Sequence, residues 1–203
     1  QAVSAYFLGV NGFALALPQA LAGVLSILLL YAMVKRQFGT GAGLIAALAL
    51  AIIPVTVSTE RNNTIDGLLL FVLLLATWAF LRSVRLGRFR YLLLGAFLIG
   101  LGFNIKMLQA FLPLPALYAL YFLGAPHSWW KRIVHLAVAT VLLVTVSLAW
   151  AIAVDLTPPE DRPYIGSSTD NTVMELIVGH NGLKRLDLTD KSGPARDNGT
   201  SPS

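Results

Sequence analysis

Apolar runs of membrane-crossing length follow one another through this chain, separated by short connections that alternate in charge. Three connections hold eight Lys and Arg residues and no acid: Lys35 and Arg36; Arg82, Arg85, Arg88 and Arg90; Lys131 and Arg132. All ten Asp and Glu residues lie in the alternate connections. Cytoplasmic loops of membrane proteins retain Lys and Arg. The pattern therefore predicts a multi-pass protein of the cell membrane, with its acidic loops and C-terminal segment on the extracytoplasmic side.

The hydrocarbon core is about 30 Å thick, and a helix needs ~17–25 apolar residues to cross it. Six stretches approach that length, at about 18–34, 41–57, 65–81, 91–106, 107–123 and 133–154. The expected fold is all-α: a polytopic membrane bundle of about six transmembrane helices. Charged residues make up 12% of the 203, against roughly 25% in an ordinary soluble domain. A large buried soluble core would leave the loop-by-loop alternation of charge unexplained.

The net charge of +5 is no sign of nucleic-acid binding, because eight of the fifteen basic residues are those topology-setting loop charges. They suit anionic lipid headgroups instead. Cysteine is absent, which excludes disulfides, thiolate chemistry and cysteine metal sites. The chain opens at Gln1 with no recognisable signal peptide and is expected to be an internal stretch of a longer protein.

Residues 1–17 are interrupted by Gly9, Asn11 and Gly12 and read as an outer interfacial segment. Residues 18–154 form the helical bundle, with Pro18 expected in the first turn of its first span. Gly39, Gly41 and Gly43 follow no strand and lack phosphate-loop spacing. They read as a turn and close helix packing. Pro113 and Pro115 interrupt the fifth stretch, and Trp129 and Trp130 suit the headgroup region. Residues 155–185 read as an extracytoplasmic loop with a short helix around Met174 to Val178. Residues 186–203, rich in Gly, Ser, Pro and Asp, read as a linker or tail with nothing to bury.

Polar residues cluster at the expected outer ends. Glu60, Arg61, Asn63 and Asp66 stand between the second and third spans, and charges near a membrane are functional candidates by default. Thr64 as N-cap with Asp66 in the first turn is the structural alternative. Asn104, Lys106 and Gln109 form a polar notch between spans four and five. A lysine snorkelling from a helix C-terminus explains Lys106 equally well. Arg162, Tyr164 and the Gly166–Asn171 stretch make a hydroxyl- and amide-rich loop, of a kind that binds sugars and is also common on any surface. His127 and His135 read as cytoplasmic and far apart, with His180 alone outside. No metal-ligand spacing is present, and no cofactor is evident.

Three stretches carry a resemblance: Glu60-Arg61-Asn62-Asn63-Thr64-Ile65-Asp66, Gly100 to Phe111 (GLGFNIKMLQAF), and Arg162 to Asn171 continuing through Gly179-His180-Asn181-Gly182-Leu183. Over about residues 1–185 the chain resembles bacterial membrane glycosyltransferases, grouped with the protein O-mannosyltransferases and lipid A aminoarabinose transferases. The nearest subgroup is that of mannosyltransferases of YkcA/YkcB type. The resemblance implies part of a glycosyltransferase C-type fold, with an active site on the outer face. It implies a polyprenyl-phosphate-linked sugar donor entering from the bilayer and an extracytoplasmic acceptor.

On that analogy Asp66 is the catalytic carboxylate candidate within this stretch, and Arg61 or Lys106 faces phosphate. Asn63, Gln109, Arg162 and Tyr164 bind donor or substrate. The family's principal catalytic acid lies in a first outer loop, upstream of the region matching Gln1. The stretch is therefore expected to be inactive alone.

Two other classes stay open. A transporter or lipid flippase would place ionisable groups in mid-span, whereas Asp66 and Lys106 stand at span ends. A non-catalytic scaffold would give the outer-loop motifs no use.

Overall fold

The computed structural model describes residues 4, 6–7, 9–53, 64–158, 161–162, 164, 171–175 and 177. Every regular element among them is helical. Two compact units divide the chain, Gln1–Trp150 and Ala151–Ser203.

Helix α1 (Gly12–Phe38) starts where the Asn11 side chain accepts the Ala14 N–H at 2.8 Å, a side-chain cap on a free helix donor. Pro18 thus falls inside the helix rather than in its first turn. A proline there leaves the carbonyl four residues back without its donor. That carbonyl belongs to Ala14, and the Ser4 hydroxyl donates to it at 2.6 Å.

Lys35 and Arg36 occupy the last turn, where cations meet the negative helix end. Gly39, at φ +91°, turns the chain into α2 (Thr40–Ile52). A Cβ on Gly43 would lie 2.9 Å from Lys35 Cβ, so the returning helix packs closely there. The turn reading holds at Gly39 and the packing reading at Gly43, whereas Gly41 faces open space.

Helices α3 (Asp66–Leu86) and α4 (Phe89–Lys106) form an antiparallel hairpin with the most extensive contact in the bundle. Gly95 allows their approach, since a Cβ there would sit 2.6 Å from the Phe80 ring. A 3-10 turn (Met107–Phe111) leads to α5 (Leu114–Gly124), and then to α6 (Trp129–Asp155).

Among the described residues four segments are long and apolar enough to cross a membrane, short of the six expected: α1, α3, α4 with its 3-10 extension to Phe111, and α6. The 13 residues of α2 reach about 20 Å and the 11 of α5 about 16 Å at 1.5 Å per residue. Proline sets both limits. Ile53 precedes Pro54 and is extended, at ψ 118°, as a residue before proline prefers. Pro113 caps α5 and Pro115 sits in its first turn, so α5 begins there and not at residue 107.

The core gathers Ala76 and Phe80, Leu92, Ala96 and Ile99, Leu117 and Tyr121, and Ala139 and Leu143, from α3, α4, α5 and α6 in turn. No more than 39% of any crossing segment lies inside the fold. The apolar remainder, such as Leu48, Leu123 and Val141, faces outward. Water would penalise such a surface and lipid would not.

All three basic connections meet at one end of the bundle. Arg36 shares a cavity with Arg82 and Arg85, and His127 Nε2 lies 3.1 Å from the Gly87 carbonyl. Arg132 donates to the carbonyls of His127 and Phe122 at 2.7 and 2.6 Å. This also corrects the reading of two distant histidines, whose ring centroids lie 5.1 Å apart. The 125–128 turn folds His127 back against α6, where His135 Nδ1 lies 2.6 Å from the Tyr121 hydroxyl.

Candidate functional site

At the opposite end, two span termini carry opposite charges. Asp66 opens α3, where a carboxylate meets the positive end of the helix. The expected Thr64 cap is not the one used, since Ile65 holds the cap position without a side-chain hydrogen bond. The capping acceptor comes from another helix. Gln19 of α1 is 3% exposed, and its Oε1 accepts the Leu68 N–H at 3.1 Å. Gln19 of α1 thus ties down the start of α3, and with it the position of Asp66.

Lys106 ends α4, and the next residue, Met107, has φ +39°. That conformation is unfavourable for a side-chain-bearing residue by about 1–3 kcal/mol. It stops the α-helix and turns the chain into the 3-10 segment that holds Gln109. Because α3 and α4 are antiparallel neighbours, the start of one meets the end of the other. Lys106 Nζ forms an ion pair with Asp66 Oδ1. The side chains are 33% and 36% exposed, so the pair is reachable. An ammonium has three donors, and among the described residues only one of them is engaged.

Beside the pair lies an open cleft of about 640 Å³. Asp66 and Gln109 line it, with Leu69, Leu70, Leu73 and Leu74 along α3 down to Thr77. From Asp66 to Thr77 the wall is about 16 Å long at 1.5 Å per residue. A charged head above a leucine trough suits an amphipathic ligand with an anionic group and a hydrocarbon tail.

The structure brings together Asp66, Lys106 and Gln109. Asn104, the other member of the notch, has its amide engaged elsewhere: it donates to Gly100 and Val146 carbonyls, each at 3.0 Å, tying α4 to α6. Arg61 and Asn63 lie outside the described residues, as do Glu60, His180 and the 186–203 tail.

Arg162 and Tyr164 belong to the second unit. There the Arg162 guanidinium donates to the Asp155, Thr157 and Asn171 carbonyls at 2.6 to 3.3 Å. The Asp155 carboxylate accepts the N–H groups of Val173 and Met174, at the start of the helical turn Val173–Glu175. Of the expected short helix, that turn is the described part. Tyr164 is 90% exposed. Among the described residues no group of three His, Cys, Asp or Glu side chains is placed to hold a metal ion.

Sequence reasoning passed over Gln19. The available signal was a lone amide inside an apolar run, which a membrane segment tolerates only with a partner.

An outward-facing apolar surface on four crossing-length helices among the described residues defines a multi-pass membrane protein. Residues 1–150 match the dolichyl-phosphate-mannose-protein mannosyltransferase family, and the chain belongs to it. Two Bacillus subtilis (strain 168) proteins, YkcB and YycA, carry names that assign them provisionally as mannosyltransferases. Over 186 residues, 92% of this chain, it is 46% identical to the first and 48% to the second. The chain spans about a quarter of the length of these curated relatives, 26% and 27%. No solved structure matches.

Proposed function

We propose that this chain carries part of the active site of a membrane mannosyltransferase, which moves a sugar from a polyprenyl-phosphate-linked donor to an extracytoplasmic acceptor. One observation carries the reading: the Asp66–Lys106 pair stands at the head of the leucine-lined cleft. In such a transfer the acceptor oxygen attacks the anomeric carbon, and the bond from that carbon to the phosphate oxygen breaks. The phosphate leaves with the bonding electrons. A carboxylate receives the acceptor proton, and a cation stabilises the charge developing on the leaving phosphate.

Asp66 and Lys106 supply those two groups within reach of one another, and Gln109 offers amide hydrogen bonds to the same cleft. Leucines below would hold the first isoprene units. Arg61, Asn63, Arg162 and Tyr164 are assigned to donor and acceptor binding on the family resemblance. A transporter is less well supported, because the described crossing helices carry their ionisable groups near their ends rather than at mid-span.

The test uses membranes containing the protein at its full coded length, supplied with radiolabelled mannose on polyprenyl phosphate. Label is expected to reach a non-lipid acceptor from this donor and not from a nucleotide sugar. Leu70→Trp, which fills the trough, is expected to raise KM for the lipid donor about tenfold. Transfer from the nucleotide sugar alone, or an unchanged KM in Leu70→Trp, would refute the reading.

A further inference from the structure

The basic end of the bundle holds a second cavity, of about 160 Å³, between the ends of α1 and α3. Three arginines line it: Arg36 from α1, and Arg82 and Arg85 from α3. Among the described residues the one ion pair is Asp66–Lys106, at the other end, so no carboxylate neutralises these three. Arg82 is the key member. Its guanidinium lies 5.4 Å from the Trp78 ring centroid and 5.2 Å from that of Tyr91, beside two rings that meet edge to face, a contact that favours a guanidinium. Its Nε is buried and has no acceptor among the described residues, while the guanidinium also meets the Tyr91 hydroxyl. What the cavity offers a ligand is the charge and the remaining N–H donors of three arginines.

The rest of the wall is apolar, with Leu29, Met33 and Leu81 among its residues. We propose that this cavity is a binding site for a phosphate ester, supplied by the headgroup of an anionic phospholipid. The phosphate would meet the planar arginine donors, and the glycerol and first acyl carbons would lie against the leucines and Met33. The site is separate from the Asp66–Lys106 cleft and independent of any role in sugar transfer.

The test is native mass spectrometry of the purified protein at its full coded length, released from micelles containing equal phosphatidylglycerol and phosphatidylcholine. The wild-type chain is expected to retain one phosphatidylglycerol, about tenfold in preference to phosphatidylcholine. Arg36→Gln with Arg85→Gln changes two exposed rim residues without disturbing packing, and is expected to lower that retention about tenfold. Arg82→Gln is expected to act in the same direction. Arg88→Gln with Lys131→Gln removes the same charge from the same end outside the cavity, and is expected to leave retention within about twofold. Equal loss in the two double variants would mean diffuse attraction without a built site and would overturn the proposal. So would displacement of the lipid by millimolar inorganic phosphate, which would make the ligand a free anion.

Discussion

Gln19 Oε1 on α1 accepts the backbone N–H of Leu68 at 3.1 Å, so an amide in one apolar run caps a different helix. The two residues are 49 apart in sequence, and the bond ties the Asp66 end of α3 to the start of α1. Gln19→Leu roughly keeps the volume but leaves the half-buried Leu68 N–H without its acceptor. It is expected to lower stability by about 1–3 kcal/mol, read as an earlier thermal transition in detergent. Sugar transfer should fall as well, because Asp66 loses its anchor. An unchanged transition would remove Gln19 from this role.

The α3–α4 hairpin sets the distance between Asp66 and Lys106, and Gly95 sets the hairpin spacing. In Gly95→Ala the new methyl would meet the Phe80 ring at 2.6 Å, an overpacking worth about 1–3 kcal/mol. Gly41→Ala is the control, since nothing lies within 4 Å of its Cβ position. Thermal melting of the two variants should separate them, with Gly95→Ala the less stable.

Much of this arrangement is legible in the chain. Charge alternation anticipates that the basic loops gather at one end, and the ordering of the spans puts Asp66 and Lys106 at the other. The helix limits are less legible because they depend on single residues in context. Pro18 reads as a helix start, yet Ser4 serves the carbonyl it strands. Thr64 reads as a cap, yet Gln19 supplies one from a distance. The pairing of His127 with His135 depends on how a four-residue turn folds, which residue spacing does not encode.

Arg162 is expected to hold its own unit in shape. Its fork reaches three carbonyls at once, which a lysine ammonium cannot span. Arg162→Lys should increase limited proteolysis within residues 157–175, without changing membrane insertion. Equal protection in the variant would show that the fork has no structural role.

Orientation can be read by thiol labelling, because residues 1–203 contribute no cysteine of their own. Ile65→Cys is expected to react with an impermeant thiol reagent applied to intact cells, and Arg88→Cys only after lysis. The reverse pattern would put the basic loops outside.

The central claim is that Asp66 and Lys106 act as one unit in sugar transfer. A double-mutant cycle on the protein at its full coded length tests it most directly, with Asp66→Asn, Lys106→Gln and the double variant assayed for transfer from mannosyl polyprenyl phosphate. Each single variant is expected to lose about 10²–10³-fold in kcat, and the double variant little more than the worse single. Wild-type turnover in either single variant, or losses that simply multiply, would contradict the account.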